Sequence, residues 1–167
     1  VKQQFLFNNN LTTNLLTEAD LQPLPSPVQK YLRYAGVVNK PKVKNMRVVM
    51  DVQMREKGKD FFPATSVQYN FFNEPTRLFF MKAKMFGITV PGYHHYMQKK
   101  ALMDIRLFGL FTMVQMAGEE MNKAETVTYF NDMCLMAPAT LIDNRIKWEP
   151  VDEKKAKAVF TNGNISI

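Results

Sequence analysis

His94 and His95 are the side chains best suited to moving a proton near neutral pH, and the chain has no other histidine. They sit in a run, Tyr93 to Gln98, that reads as a strand. Neighbours on a strand point to opposite faces, so the two rings cannot share a metal ion. His94 has the parity of Tyr96 and Gln98, and His95 that of Tyr93 and Met97. Neither has a carboxylate at ligand spacing. Together with Asp104 and Arg106 on the following strand, they are the one set that could carry acid–base chemistry. The other strand carboxylates of interest are Asp51 and Glu149. Asp51 and Asp104 are expected to pair with cations such as Arg47, Arg55 or Arg106 across a wet face. Ser26, Ser66 and Ser166 sit beside no base, and no G-x-S-x-G, H-E-x-x-H, phosphate loop or dinucleotide fingerprint occurs. The single cysteine, Cys134, can form no intrachain disulfide and reads as a small core residue. No metal and no cofactor is expected, and a hydrolase is poorly supported.

The elements that position these residues are mostly strands. From Met46 to Met54, Met46, Val48, Met50, Val52 and Met54 fall on one parity. Arg47, Asp51 and Gln53 fall on the other, with Val49 the apolar exception. Such alternation means a strand with one dry and one wet face. Later segments repeat it: Thr65 to Phe72 with Val67, Tyr69 and Phe71 on one side, and Arg77 to Phe86 with Phe79, Met81, Ala83 and Met85 opposite Lys82 and Lys84. Gly87 to Gly92 reads as a loop because of Pro91. Tyr93–Gln98 and Ala101–Phe108 read as a hairpin turning at Lys99-Lys100. Met103 and Ile105 oppose Asp104 and Arg106 on its second arm. Gly109 is expected to mark a bulge before a strand over 110–117.

Helix signals flank this run. Ser26 is the expected N-cap, with Pro27 at the first helical position, Gln29 closing a capping box, and Gly36 ending the helix in a left-handed conformation. A second helix opens at Glu119-Glu120, with Met121, Ala124, Val127, Phe130 and Cys134 along one face. Pro138 stops it. The tail predicts strands at 146–151 and 156–161, then a type I′ turn at Asn162-Gly163.

With 167 residues and 46% apolar content, the chain has material for one globular domain. It carries a net charge of +7, 12 methionines and 13 phenylalanines. The charge favours anionic partners, including an anionic membrane surface. A methionine-rich interior is polarizable and adaptable. Nucleic acid is disfavoured, because Phe79 to Lys84 interleaves aromatics with lysines but lacks the glycine–aromatic pattern of an RNA-binding strand.

The segments LPSPVQKYLRYAG (24–36), GLF (109–111), EMNKAETVTYFNDM (120–133) and PATLIDNRIKWEPVD (138–152) resemble an uncharacterised bacterial domain family of unknown function. The resemblance spans 24–167. It implies a chain that continues past Ile167, so truncation is expected. Some members carry a hydrophobic N-terminal segment, which implies a membrane-linked setting. At the level of fold alone the pattern also resembles lipoprotein carriers.

The expected architecture is α+β: a polar arm over 1–24, then one domain over 25–167. That domain is a single curved, mostly antiparallel sheet of about seven to nine strands, an open half-barrel, with two main helices on its concave face. The expected function is non-catalytic binding of an apolar or lipid-like ligand in a cavity lined by Met50, Met54, Phe79, Met81, Met103, Ile105 and Trp148, in the bacterial cell envelope; the cytoplasm is the alternative compartment. One alternative is an interaction protein that pairs, or forms homo-oligomers, through its sheet edge. The other is an enzyme using His94, His95, Asp104 and Arg106.

Overall fold

The computed structural model describes residues 14–55, 57–85, 87–108 and 110–167. In chain order the elements are α1 (Glu18–Leu21), α2 (Ser26–Tyr34), β1 (Asn45–Met54), β2 (Phe62–Phe71), β3 (Thr76–Met85), β4 (Ile88–Met97), β5 (Lys100–Leu107) and β6 (Phe111–Ala117). Then follow α3 (Glu119–Met136), a 3-10 turn (Pro138–Ile142), β7 (Ile146–Pro150), β8 (Ala156–Asn162) and β9 (Ile165–Ser166). The class is α+β, as expected. The strands form two sheets, of six and three, instead of one. The 18-residue helix α3 intervenes, and the tail strands pair among themselves through short local turns. The chain divides into two compact units, one of residues up to Asn45 with Thr126–Ile167, the other Met46–Glu125.

The second unit is the six-stranded sheet and the start of α3. Its strands lie in sequential order from β1 to β6, with β1 and β6 as edges. Antiparallel partners put their side chains on the same face, so the register defines two faces. Ser66, Met81, Gly92 and Ile105 form one row; Gln68, Phe79, His94, Met103 and Met116 form the next; Asn70, Arg77, Tyr96 and Ala101 a third. We call this the methionine face. The opposite, basic face carries Thr65, Lys82 and Pro91, then Val67, Phe80, Tyr93 and Asp104. Arg47 on β1 donates to the Tyr69 hydroxyl at 3.3 Å and stacks on its ring. The odd residues of β1 therefore share the basic face, and Met46, Val48, Met50, Val52 and Met54 share the methionine face.

The alternation of β1, β3 and β5 is as expected, but that of β2 is inverted. Ser66, Gln68 and Asn70 are buried, whereas Val67 and Tyr69 are half-buried on the basic face. Of the stretch 87–92, expected as a loop, Ile88 onward is the start of β4. Pro91 is tolerated there because β5 pairs with β4 only from Gly92 onward, so one side of the strand is an edge at Pro91. The β4–β5 hairpin turns at Gln98-Lys99, both at positive φ, the geometry of a type I′ turn. A bulge lies between Ile105 and Arg106. The one expected at Gly109, like the end of the third strand at Phe86, falls outside the described residues.

In the first unit, α2 ends as its sequence requires. Val37 N–H bonds to Leu32 O at 3.3 Å and Gly36 N–H to Arg33 O at 3.0 Å, with Gly36 at φ +68. This is a Schellman closure, and Val37 and Leu32 are both buried beneath it. The capping box from Ser26 does not form. Ser26 is already helical, the Pro25 carbonyl accepts from Val28 and Gln29, and the Gln29 side chain donates to Leu24 O at 2.8 Å. Leu16 and Leu21, inside the span expected as a polar arm, are wholly buried. Asn14, Leu16, Asn39, Lys40 and Lys42 exchange backbone hydrogen bonds that tie this span to the loop after α2. The Asp20 carboxylate accepts from Thr17 and Lys42, which pull its pKa down to about 2.

The apolar stripe expected on α3 is out of phase. Ala124 and Val127 are exposed, while Glu125, Thr126, Tyr129, Asp132 and Met133 are buried. Phe160 stacks with Tyr129 and Phe130 at centroid distances of 6.0 and 5.5 Å, so aromatic packing sets the phase of the helix in this unit. The last hairpin is displaced by one residue from the expected Asn162-Gly163 turn. Asn162 pairs with Ile165, and Gly163 takes the positive φ.

Candidate functional site

The expected ligand-binding residues separate into two groups. Met50 and Met54 on β1, Phe79 and Met81 on β3, and Met103 and Ile105 on β5 all lie on the methionine face. All but Met54, which is exposed, are half-buried. Trp148 belongs to the first unit, where its indole N–H donates to Leu141 O at 3.3 Å and joins β7 to the 3-10 turn. It has a structural partner there.

Between these side chains runs a buried polar network that sequence reading missed. Arg77 Nη1 donates to Glu125 Oε2 at 3.0 Å and Nη2 to Gln68 Oε1 at 3.1 Å; Gln68 Nε2 donates to Asn70 Oδ1 at 2.8 Å. His94 Nδ1 lies 3.9 Å from the other Glu125 oxygen. The Arg77 guanidinium sits 5.0 Å over the Phe79 ring, which meets His94 edge-on at 5.7 Å. Burial acts to raise the Glu125 pKa, but the neighbouring His94 imidazole and the charge of Arg77 outweigh it and hold the carboxyl below its ordinary value. A charge pair this enclosed fixes α3 on the sheet within this unit. Only Arg77, starting a strand otherwise apolar on that face, hinted at it.

One polar atom on this face is left over. Ser66 Oγ is buried with no hydrogen-bond partner among the described residues. It lies in the row with Met81, Gly92 and Ile105. A Cβ at Gly92 would meet the Met81 Cε methyl at 3.5 Å, an ordinary van der Waals contact, so Met81 packs against Gly92.

The set considered for enzymatic chemistry is divided by the sheet. His94 is on the methionine face; His95, Asp104 and Arg106 are on the basic face. Asp104 is engaged by Arg106, whose Nε donates to both carboxylate oxygens at 3.1 and 2.9 Å, as expected from their positions. Asp51 forms no ion pair among the described residues, and Glu149 pairs with Lys157 at 3.0 Å. No three His, Cys, Asp or Glu side chains among the described residues converge on a point where a metal ion could sit. Burial raises the Cys134 thiol pKa, which keeps it protonated and weakly nucleophilic.

Open depressions lie on the basic face among the described residues. One, of about 420 Å³, is floored by Phe80 and Tyr93, stacked at 4.8 Å, and rimmed by Lys82, Asp104 and Arg106. Another, of about 350 Å³, lies between β1 and β3, with Asp51, Lys82 and Lys84 around it. No helix among the described residues is long and apolar enough to cross a membrane.

Residues 14–167 match a family of unknown function, DUF6544, and the chain belongs to that family. No curated protein and no solved structure matches it.

Proposed function

We propose that this member of a family with no assigned activity is a non-catalytic binding module that takes an apolar, lipid-like molecule on the methionine face of its six-stranded sheet. The observation that carries the reading is the state of six side chains. Met50, Met54, Phe79, Met81, Met103 and Ile105 come from three strands onto one face and stay half-buried or exposed instead of packing closed. Apolar surface left open at several adjacent positions marks a binding surface more often than a core. Methionine suits ligands of variable shape, because its unbranched thioether repacks at little cost. The unpartnered Ser66 hydroxyl adds a polar anchor. An ester or carboxyl oxygen of a bound lipid would satisfy it.

The test is titration of delipidated protein with a fluorescent fatty acid in the absence of any bilayer. Saturable one-to-one binding is expected, weakened about tenfold or more by Met81→Asp. No saturable binding, or equal binding by Met81→Asp, overturns the reading.

A second reading, pairing through a sheet edge, is favoured by β6, an edge strand whose seven residues are all exposed. Light scattering on the full chain separates the two, since edge pairing requires a dimer without ligand.

A further inference from the structure

The sheet's two ends differ in what their hairpins expose. Because the strands run up and down in sequential order, the β2–β3 and β4–β5 connections meet at one end. The β1–β2, β3–β4 and β5–β6 connections meet at the other. The first end is closed and polar: Phe71 and Phe72 are buried, and Asn73, Glu74, Gln98 and Lys99 face water. At the second end Phe61 is 58% exposed, Phe108 63%, Leu110 76% and Phe111 66%. Phe108 is held at φ +54, a conformation bulky residues rarely adopt. From Leu107 to Ala117 the sequence has no charged residue.

Cations surround the first of these tips, at Phe61. The Arg55 guanidinium lies 4.6 Å over the Phe61 ring. Lys57 and Lys59 follow in the same loop, and residues 55–60 carry three cations against two carboxylates. A hollow of about 500 Å³ opens beside the loop, lined by Lys59, Asp60, Phe61, Phe62, Lys84 and Met85. It therefore joins two lysines to three apolar side chains.

We propose that this end of the sheet docks on an anionic lipid bilayer, with Phe61, Phe108, Leu110 and Phe111 entering the interface and Arg55, Lys57, Lys59 and Lys84 meeting lipid phosphates. A phenylalanine tip flanked by lysine and arginine, with an uncharged phenylalanine and leucine tip at the same end of the sheet, matches the two layers of a bilayer surface, the charged headgroups and the acyl boundary. A second copy is a poorer occupant, because it would set the same four cations against themselves. The inference concerns hairpin tips and not the methionine face, so it stands independently of the apolar-ligand reading.

The experiment is co-sedimentation of the full chain with phosphatidylcholine vesicles, with and without phosphatidylglycerol. Binding to the anionic vesicles alone is expected, and it weakens as salt rises. L110D/F111D lowers the partition coefficient about tenfold or more. K57E/K59E/K84E lowers it about fivefold for each charge removed. Far-UV circular dichroism stays as in the parent, because the altered tips are exposed. Equal binding to neutral and anionic vesicles, no binding to either, or parent-like binding by both variants overturns the proposal. So does a dimer in the absence of lipid that L110D/F111D converts to monomer, since the tips would then be an interface between copies. Fatty-acid titration without a bilayer reports on the other reading alone.

Discussion

Ser66, Gln68, Asn70 and Arg77 lie on the same face of the same sheet as Met46, Val48, Met50, Val52 and Met54, yet burial runs against polarity. The polar file is at most 7% exposed; the methionine ladder is half-buried at best, and Met54 is exposed. Position explains the difference. β2 and β3 are interior strands, flanked on both sides and covered at Arg77 by Glu125 of α3. β1 is an edge, flanked on one side only. A polar side chain can occupy the covered place because its hydrogen bonds are met within the network, which removes most of the desolvation penalty. What covers a position decides its burial more than what occupies it.

The largest expected effect breaks the covered half. Glu125→Ala leaves Arg77 charged and enclosed, and should cost about 3–5 kcal/mol in urea unfolding. Met50→Ala on the open half should cost about 1 kcal/mol, because a half-buried side chain loses only part of its transfer energy. Comparable losses at the two positions would remove the contrast. The pair Arg77→Met with Glu125→Leu should recover most of the stability lost by Glu125→Ala, since no unpaired charge remains.

Acid titration sharpens the same point. The folded pKa of Glu125 is depressed below its ordinary 4.5, so its stabilisation is complete above that pH and is lost as pH falls through the folded value. Asp20 acts likewise between 3.8 and about 2. Thermal unfolding of the parent should therefore weaken below pH 4.5, and Glu125→Ala should flatten the upper part of that loss. An identical pH profile in the variant would show that the carboxyl's pKa is the same in the folded and unfolded states.

The smallest expected effect is at Ser66. Removing a buried hydroxyl that lacks a partner should leave stability unchanged or raise it by about 1 kcal/mol. The same change should weaken fatty-acid binding if the hydroxyl meets the ligand. A clear loss of stability with no change in binding would mean that Ser66 is satisfied within the fold.

Much of the fold was legible in sequence, for local reasons. Gly36 had to end α2, because only glycine enters the left-handed region without strain. The ladders of β1, β3 and β5 follow from the two-residue period of a strand. The phase of α3 was not legible. Met121, Ala124 and Val127 suggested one face, but the buried one carries Glu125, Tyr129 and Asp132, because partners distant in sequence, Arg77 and Phe160, claim them. Pro91 misled for the same reason, since its tolerance depends on where β5 stops pairing. The six apolar residues of the candidate surface were all readable as one parity set. The Arg77–Glu125–His94 network crossing their face was not, because a contact over 48 residues leaves no local pattern.

By itself, then, the sequence determined which segments extend, which coil, where α2 stops, and which side chains share a strand face, because these depend on near neighbours and backbone sterics. Tertiary structure alone decided that the nine described strands divide into two sheets, that glutamine, asparagine and arginine are enclosed while methionines stay open, and that two hairpins bring exposed apolar tips to one end. Those outcomes depend on cover and pairing between residues far apart in the chain, and no local spacing records them.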